Sequence, residues 1–418
     1  MNWGIMEIIE ATGATPDRLP KRLPVLTGIS TDSRTVRKGE LFVALKGPTH
    51  DGHQFVGAAL ARGARAILAQ DPISVERKVP CLFVPDTLHA YGALASSYRK
   101  RLRARLSAIT GSMGKTTTKE MAATILARKY KVAKTRENEN NRVGVPKTLL
   151  SIEPDTDVAV IELGSNIPGE ISLLAGIVGA DRALVTNIAP VHLERFKTLE
   201  GVRIEKSALF WASPKETLRC INRDDPHIRK IPLKPEWPTL TYGTGKSSQV
   251  RATHVKPLGL EGIQFTLTAA GENIDISLPL LGTHQVKNAL AAATLGILEG
   301  ISLAEIKEAL ASFRAPGKRL EAISTASRHP QRHLQCQPRG HQDGPRDPCH
   351  VRHVLFYHRP FGGHAGARGR NRRLPRRNRR RLREKQPRAP RADRGIPGLD
   401  PQGGHPARIR QGQDLLLR

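Results

Sequence analysis

The sequence predicts an α/β protein with a small N-terminal unit and a larger central unit built on a mostly parallel sheet. Three observations carry that prediction. Apolar runs of four to six residues alternate with segments of helical spacing over the first 321 of the 418 residues. One of these runs, 106–110, passes directly into a glycine-rich loop and then a helix-forming segment. From Ala322 onward the pattern stops, and an Arg/Pro/Gly/His-rich composition replaces it.

In the first 90 residues, the runs 41–45 (LFVAL), 66–69 (AILA) and 81–84 (CLFV) read as buried strands. Between them, 53–64 places Phe55, Ala58, Ala59 and Leu60 on one helical face. This is a small α/β domain, 1–90. Residues 87–105, ending YRKRLRAR, read as a basic helix whose part 91–105 links it to the next unit. Its charges suit a solvated face, with phosphate attraction the second reading.

The central unit, 106–314, has strand candidates at 106–110, 158–163 and 183–188, separated by helices. Strand–helix alternation of this kind builds parallel sheets. Residues 281–299 read as a helix opened by Gly282-Thr283. Ser302 and Glu305 form a capping box for the next one.

Composition narrows the function classes. The tail 322–418 carries 22 Arg, one Lys and six Asp or Glu, so it holds +17 of the net +29. Eight arginines fall within the twelve positions 372–383, and disorder is expected for most of this stretch. The four cysteines, Cys81, Cys220, Cys336 and Cys349, have neither metal-ligand spacing nor disulfide density. No run approaches the roughly 18 apolar residues of a membrane span, and the N-terminus lacks a basic n-region and a long apolar core. A cytoplasmic protein is expected.

The loop Gly111-Ser112-Met113-Gly114-Lys115-Thr116 is the strongest chemical signal. Backbone amides and a lysine at the start of a helix suit a polyphosphate, and a threonine hydroxyl there reaches its Mg²⁺. Ile109 stands where the strict pattern has its first glycine. Parallel sheets bind ligands beyond the carboxyl ends of their strands. One sheet would therefore bring Lys115, Glu162 and His192 to one edge. Glu162 as a cap for a helix near Pro168, and His192 as a surface histidine, are the competing readings. The loop 135–146 holds Asn138, Asn140 and Asn141 before Gly144 and Pro146. It suits a solvent-facing turn and a substrate loop equally.

Six segments together resemble the Mur ligase family, ATP-dependent amide-forming enzymes of peptidoglycan synthesis. They are TGSMGKT (110–116), NENNRVGVP (138–146), ELGSNIPGEI (162–171), TNIAPVHLERF (186–196), Glu205-Lys206 and GTHQVKNALAAA (282–293). STDSR (30–34), GELFVALKG (39–47) and DGHQF (51–55) are similar to the uridine-nucleotide domain of the branch that joins D-alanyl-D-alanine to UDP-N-acetylmuramoyl-tripeptide. The resemblance covers roughly 25–321.

It implies ATP and Mg²⁺ as cofactors, those two substrates as partners and a monomer. It implies that Gly111, Ser112, Met113, Gly114, Lys115, Thr116 and Thr117 hold the ATP phosphates. His284, Asn288 and Arg319 would complete the nucleotide site. Thr116, Glu162, His192 and Lys206 would serve the metal ions, with Lys206 carbamylated; from the residues alone Lys206 reads as a surface lysine. Lys115, His192 and Lys206 would be catalytic. Asn138, Asn140, Asn141, Ser33, Arg34, Lys46, Asp51, Gly52 and His53 would face the UDP-linked substrate.

The pattern of the family stops after Pro316–Glu321, the expected start of its C-terminal α/β domain. The basic tail stands in place of the Tyr-Asn-Ala-Asn-Pro stretch that the family continues with. A reading-frame shift soon after Glu321 accounts for that composition, and weak ligation is the expected consequence. The alternative reading is a nucleic-acid-binding P-loop NTPase that uses the basic tail.

Overall fold

The computed structural model describes residues 2–73 and 79–315. The predicted tail 322–418, the start of the C-terminal domain at 315–321 beyond Ala315, and Arg319 lie outside the described residues.

The N-terminal lobe comprises β1 (Trp3–Gly4), α1 (Ile5–Thr12), β2 (Thr15–Pro16), β3 (Val25–Leu26), β4 (Ile29–Ser30), β5 (Leu41–Val43), α2 (Val56–Ala61), β6 (Ala66–Ala69), β7 (Cys81–Phe83) and α3 (Thr87–Arg99). Its five-stranded sheet runs β2-β7-β6-β5-β4, parallel from β4 to β7 with β2 antiparallel at the edge. The helix expected over 53–64 is split. Gly52–Phe55 is a 3₁₀ turn, and α2 follows from Val56. Asp51 sets that turn by accepting the His53 amide through its carboxylate.

The central lobe comprises β8 (Arg105–Thr110), α4 (Lys115–Leu126), β9 (Val132–Lys134), α5 (Gly144–Leu150), β10 (Val158–Glu162), α6 (Glu170–Val178), β11 (Arg182–Val185), α7 (Leu193–Phe196), α8 (Leu199–Ala212), β12 (Leu218–Asn222), β13 (Thr239–Gly243), β14 (Val250–Pro257), β15 (Ile263–Ala269), β16 (Glu272–Leu278), α9 (His284–Leu298) and α10 (Leu303–Ala311). The sheet order is β16-β15-β14-β13-β12-β11-β8-β10-β9. It is parallel from β9 to β14, then antiparallel through β15 and β16.

Alternation along the central strands explains why both faces are covered. Leu106 and Ala108 of β8, Ala159 and Ile161 of β10, and Ala183 and Val185 of β11 enter one core. Ile109, Val158, Val160 and Leu184 enter another, against Met121, Ile125, Leu290 and Leu295 of α4 and α9.

The first of these cores also holds Leu41, Val43, Ala66 and Leu68 of the N-terminal sheet, so one apolar core joins the two lobes. Helix α3 is the bridge. It ends at Arg99, and Ala90, Tyr91, Leu94, Ala95 and Tyr98 form a buried stripe upon it. The expected basic linker is therefore a packed element, and its charges are engaged rather than only solvated. Arg99 bonds Asp181 at 2.8 Å and Arg105 bonds Glu299 at 2.6 Å. The apolar spacing, not the basic ending, decided where this helix went.

Candidate active site

Three neighbouring strands, β11, β8 and β10, end on one edge of the sheet, and the candidate residues follow those ends. The loop after β8 turns sharply into α4. Gly111 has φ +142° and Gly114 φ +78°, backbone that side chains rarely adopt. A Cβ on Gly111 would overlap the Thr186 hydroxyl, and one on Gly114 the Asn288 side-chain oxygen. Both are cradle positions closed to any other residue.

The segment after β11 laces this loop in place. Asn187 accepts the Ser112 amide with its carbonyl (3.0 Å) and the Met113 amide with Oδ1 (2.9 Å). Thr186 Oγ1 and Asn187 Nδ2 both donate to the Met113 carbonyl, at 2.6 and 3.0 Å. Ser112 Oγ donates to the Ala189 carbonyl at 3.0 Å. The amides of this loop fall into two groups. Those of Ser112 and Met113 are committed to Asn187, which leaves the first turn of α4, where helix geometry gives the amides no intrahelical partner. Lys115 Nζ folds onto the loop, donating to the carbonyls of Gly111 (2.8 Å) and Ser112 (3.3 Å).

Glu162, at the end of β10, is buried at 2% exposure and does not cap the following helix. The cap of α6 is supplied by Glu205, which accepts the amides of Gly169 (2.7 Å) and Ile171 (2.9 Å). Glu162 Oε1 accepts from Thr116 Oγ1 at 3.2 Å and from Asn140 Nδ2 at 2.9 Å. Its Oε2 is buried with no hydrogen-bond donor among the described residues. Lys119, fully buried on α4, stands 3.4 Å from Oε2 and 3.2 Å from Glu120. A carboxylate and a hydroxyl, held together beside a phosphate loop with the second carboxylate oxygen met only by the Lys119 ammonium, form the hard-oxygen donor set that Mg²⁺ takes.

His192 and Lys206 flank one aromatic ring. The His192 ring meets Phe196 edge-on at 6.3 Å, and Lys206 Nζ lies 5.8 Å from the same ring. His192 is half-exposed and adopts φ +48°. Lys206 is buried, not a surface lysine, and donates to Ser165 Oγ at 2.7 Å. Burial, and next the charge of Lys115, pull its pKa down to about 8.

In the N-terminal lobe the candidate residues follow the carboxyl ends of β4, β5 and β6. Arg34 pairs with Asp32 at 2.7 Å, which holds the Asp32 pKa down to about 2. Lys46 pairs with Asp71 at 2.6 Å. The His53 ring is fixed on both sides: Nδ1 meets Asp51 at 2.6 Å, and Nε2 accepts the amides of Gln70 and Asp71. Gly52 lies against the backbone of Ala44 and Leu45, and Ser33 is buried.

The asparagine loop divides its labour. Asn140 is turned onto Glu162. Asn141 Oδ1 accepts the amides of Val143 and Gly144 and so caps α5. Asn138 is exposed. His284 is exposed at the start of α9, while Asn288 is buried against the phosphate loop. Sequence reasoning missed Thr186, Asn187 and Lys119. The Thr-Asn pair at the end of a strand, and a lysine one helical turn after Lys115, were the available signals.

The Mur ligase middle-domain model matches residues 109–296, and the model of the Mur ligase family catalytic domain matches 25–99. The UDP-N-acetylmuramoyl-tripeptide–D-alanyl-D-alanine ligase of Escherichia coli is 39% identical over 305 residues, 72% of this chain and 66% of the relative. That of Bacillus subtilis is 34% identical over 330 residues, 77% of this chain and 69% of the relative. The chain thus spans about two thirds of the length of these relatives. Among solved structures, MurF from Acinetobacter baumannii superposes with a TM-score of 0.71 at 31% identity, covering 78% of this chain and 71% of that one. MurF from Thermotoga maritima, solved with ADP, gives 0.62 at 27% identity, covering 69% and 66%.

Proposed function

This chain belongs to the Mur ligase family, and on that footing we propose that its site is that of an ATP-dependent ligase joining D-alanyl-D-alanine to UDP-N-acetylmuramoyl-tripeptide. The observation that carries the reading is the joint placement of the phosphate loop, Glu162 and buried Lys206 at one sheet edge.

In this reading the first turn of α4 and Lys115 bind the ATP phosphates, and Asn288 holds the loop from beneath. Thr116 and Glu162 hold Mg²⁺, which when bound draws charge from the γ-phosphate. His192 and a carbamylated Lys206 serve a second ion. Carbamylation suits Lys206 because a buried amine with a depressed pKa is more readily neutral, and the neutral amine is the form that attacks CO₂. The tripeptide carboxylate attacks the γ-phosphorus, ADP leaves, and an acyl phosphate forms. The dipeptide amine then adds to that carbonyl, loses a proton, and phosphate departs as the amide forms. The protein supplies position and charge, not a covalent nucleophile. Ser33, Arg34, Lys46, Asp51, Gly52, His53 and Asn138 face the UDP-linked substrate. Asn140 and Asn141 act through their grip on Glu162 and on α5.

The same reading takes the sequence beyond Glu321 as shifted in frame. Translating the parent DNA in the other two frames tests this, and absence of Tyr-Asn-Ala-Asn-Pro from both would sink it. The function itself is tested by phosphate release with MgATP and UDP-N-acetylmuramoyl-tripeptide, with and without D-alanyl-D-alanine. Weak dipeptide-dependent release is expected from this chain, and faster release from the frame-restored one. A restored chain that binds both nucleotides but never responds to the dipeptide would overturn the assignment. The nucleic-acid alternative rests on 322–418, outside the described residues.

Among the described residues no helix is long and apolar enough to cross a membrane.

A further inference from the structure

A polar cavity of about 380 Å³ opens at the carboxyl edge of the N-terminal sheet. Lys46, Gln70 and Asp86 line it from that lobe, and Arg142 lines it from the loop before α5 in the central lobe. Arg142 is the one residue of the central lobe in this lining.

The charges around the cavity are unequal. Asp86 is committed to the start of α3, where its Oδ1 accepts the amides of Leu88 (2.7 Å) and His89 (2.9 Å). Lys46 is neutralised by Asp71. Glu139, on the same loop as Arg142, is paired with Lys147. Among the described residues Arg142 has no such partner. Its Nε–H is buried with no acceptor among the described residues, an arrangement that native structures rarely leave without a reason. A planar guanidinium is shaped for the paired oxygens of a phosphate group.

Arg142 and Leu88 also line an adjoining groove of about 280 Å³ between α3 and α6, with Gly92, Leu173 and Ile177 on its walls. The guanidinium therefore stands where a polar cavity meets a more apolar groove. That shape suits an elongated ligand carrying its phosphate in the middle, not inorganic phosphate alone.

We propose that Arg142 is the central lobe's contact to the diphosphate of the UDP-linked substrate, and that it makes affinity for that substrate depend on both lobes. The assignment rests on the ligase reading above and adds to it a binding residue from outside the N-terminal lobe. The same loop carries Arg136, Glu137 and Glu139, but of its charged residues only Arg142 lines the cavity.

The test is calorimetric titration of the full chain, and of Arg142→Met and Arg142→Lys, with UDP, uridine and MgATP. Loss of one charge-assisted contact is expected to weaken UDP about tenfold or more in Arg142→Met. Arg142→Lys should recover part of that loss, because it restores the charge without the fork. Uridine and MgATP should bind all three proteins alike, since neither uses this contact. UDP binding within about twofold of wild type in Arg142→Met overturns the proposal, and so does an equal loss for uridine or MgATP. A wild-type chain that binds MgATP but neither UDP nor UDP-N-acetylmuramoyl-tripeptide would instead remove the ligase reading on which the proposal stands.

Discussion

Replacing Lys206 by methionine is expected to stabilise the protein at neutral pH. The ammonium is buried at 2% exposure, with one hydrogen bond, to Ser165, and with the Lys115 charge opposing it. Its pKa falls from 10.5 to about 8 on folding. At about 1.4 kcal/mol per unit, the charged form costs about 3 kcal/mol in the folded state. Methionine removes that cost but leaves the Ser165 hydroxyl without its donor, a loss of about 1 kcal/mol. The net gain is about 2 kcal/mol near pH 7.

The sign of the pH dependence follows from proton counting. Between about pH 8 and 10.5 the unfolded chain keeps the proton that the folded chain has released, so wild-type stability rises with pH relative to the variant. Urea unfolding of both proteins, from about pH 7 to about pH 9.5, should show the variant's advantage at the low end and its decline above about pH 8. Equal stability at neutral pH, or an advantage that stays flat across the range, would refute the reasoning. The proposed carbamylation acts on the same amine. Bicarbonate should therefore narrow the gap through the wild-type chain only.

Two further substitutions probe the phosphate loop. Gly114→Ala places a Cβ against Asn288 at φ +78°, and the left-handed backbone alone costs about 1–2 kcal/mol. Calorimetry should show MgATP affinity reduced about tenfold with UDP binding intact, and unchanged MgATP affinity would count against the cradle. Thr116→Val removes the hydroxyl 3.2 Å from Glu162. Weaker Mn²⁺ binding, read by electron paramagnetic resonance in the presence of ADP, is expected without a change in melting temperature. Equal Mn²⁺ binding would remove Thr116 from the metal site.

The strands that were legible in the sequence were those buried on both faces. In 106–110, 158–163 and 183–188, apolar residues fill both parities, so each run stands out without its neighbours. The outer strands were not legible for a physical reason. In β15 and β16 one face is solvated, with Thr266, Thr268, Asn273 and Asp275 bonded across the ladder, so the apolar signal is halved. At the site, Glu162 was legible because it ends an apolar run. Lys119 was hidden because a buried lysine on a helix looks like an exposed one until a carboxylate partner, Glu162, arrives from β10 to join its neighbour Glu120. Asn187 was hidden because its bonds span 74 residues of sequence to Met113.

The shared core constrains how such a site can work. Tyr91, Leu94 and Tyr98 of α3 lie in the same apolar core as Leu106 of β8 and Leu174 of α6. Swinging one lobe from the other at α3 would return those side chains to water, at about 1.5–3 kcal/mol for a fully exposed Leu. That cost holds the cleft between the two lobes open in one arrangement before any ligand arrives. A cleft fixed in advance has little ordering left to do on binding, which is the circumstance in which an unpaired donor such as Arg142 Nε–H can be kept. Its unmet hydrogen bond weakens the free protein, and the packed α3 stripe supplies the rigidity that stops the loop from relaxing to find another acceptor. The apolar bridge and the unpaired guanidinium are therefore linked. Loosening α3 should cost UDP affinity even though no residue of its buried stripe lines the cavity.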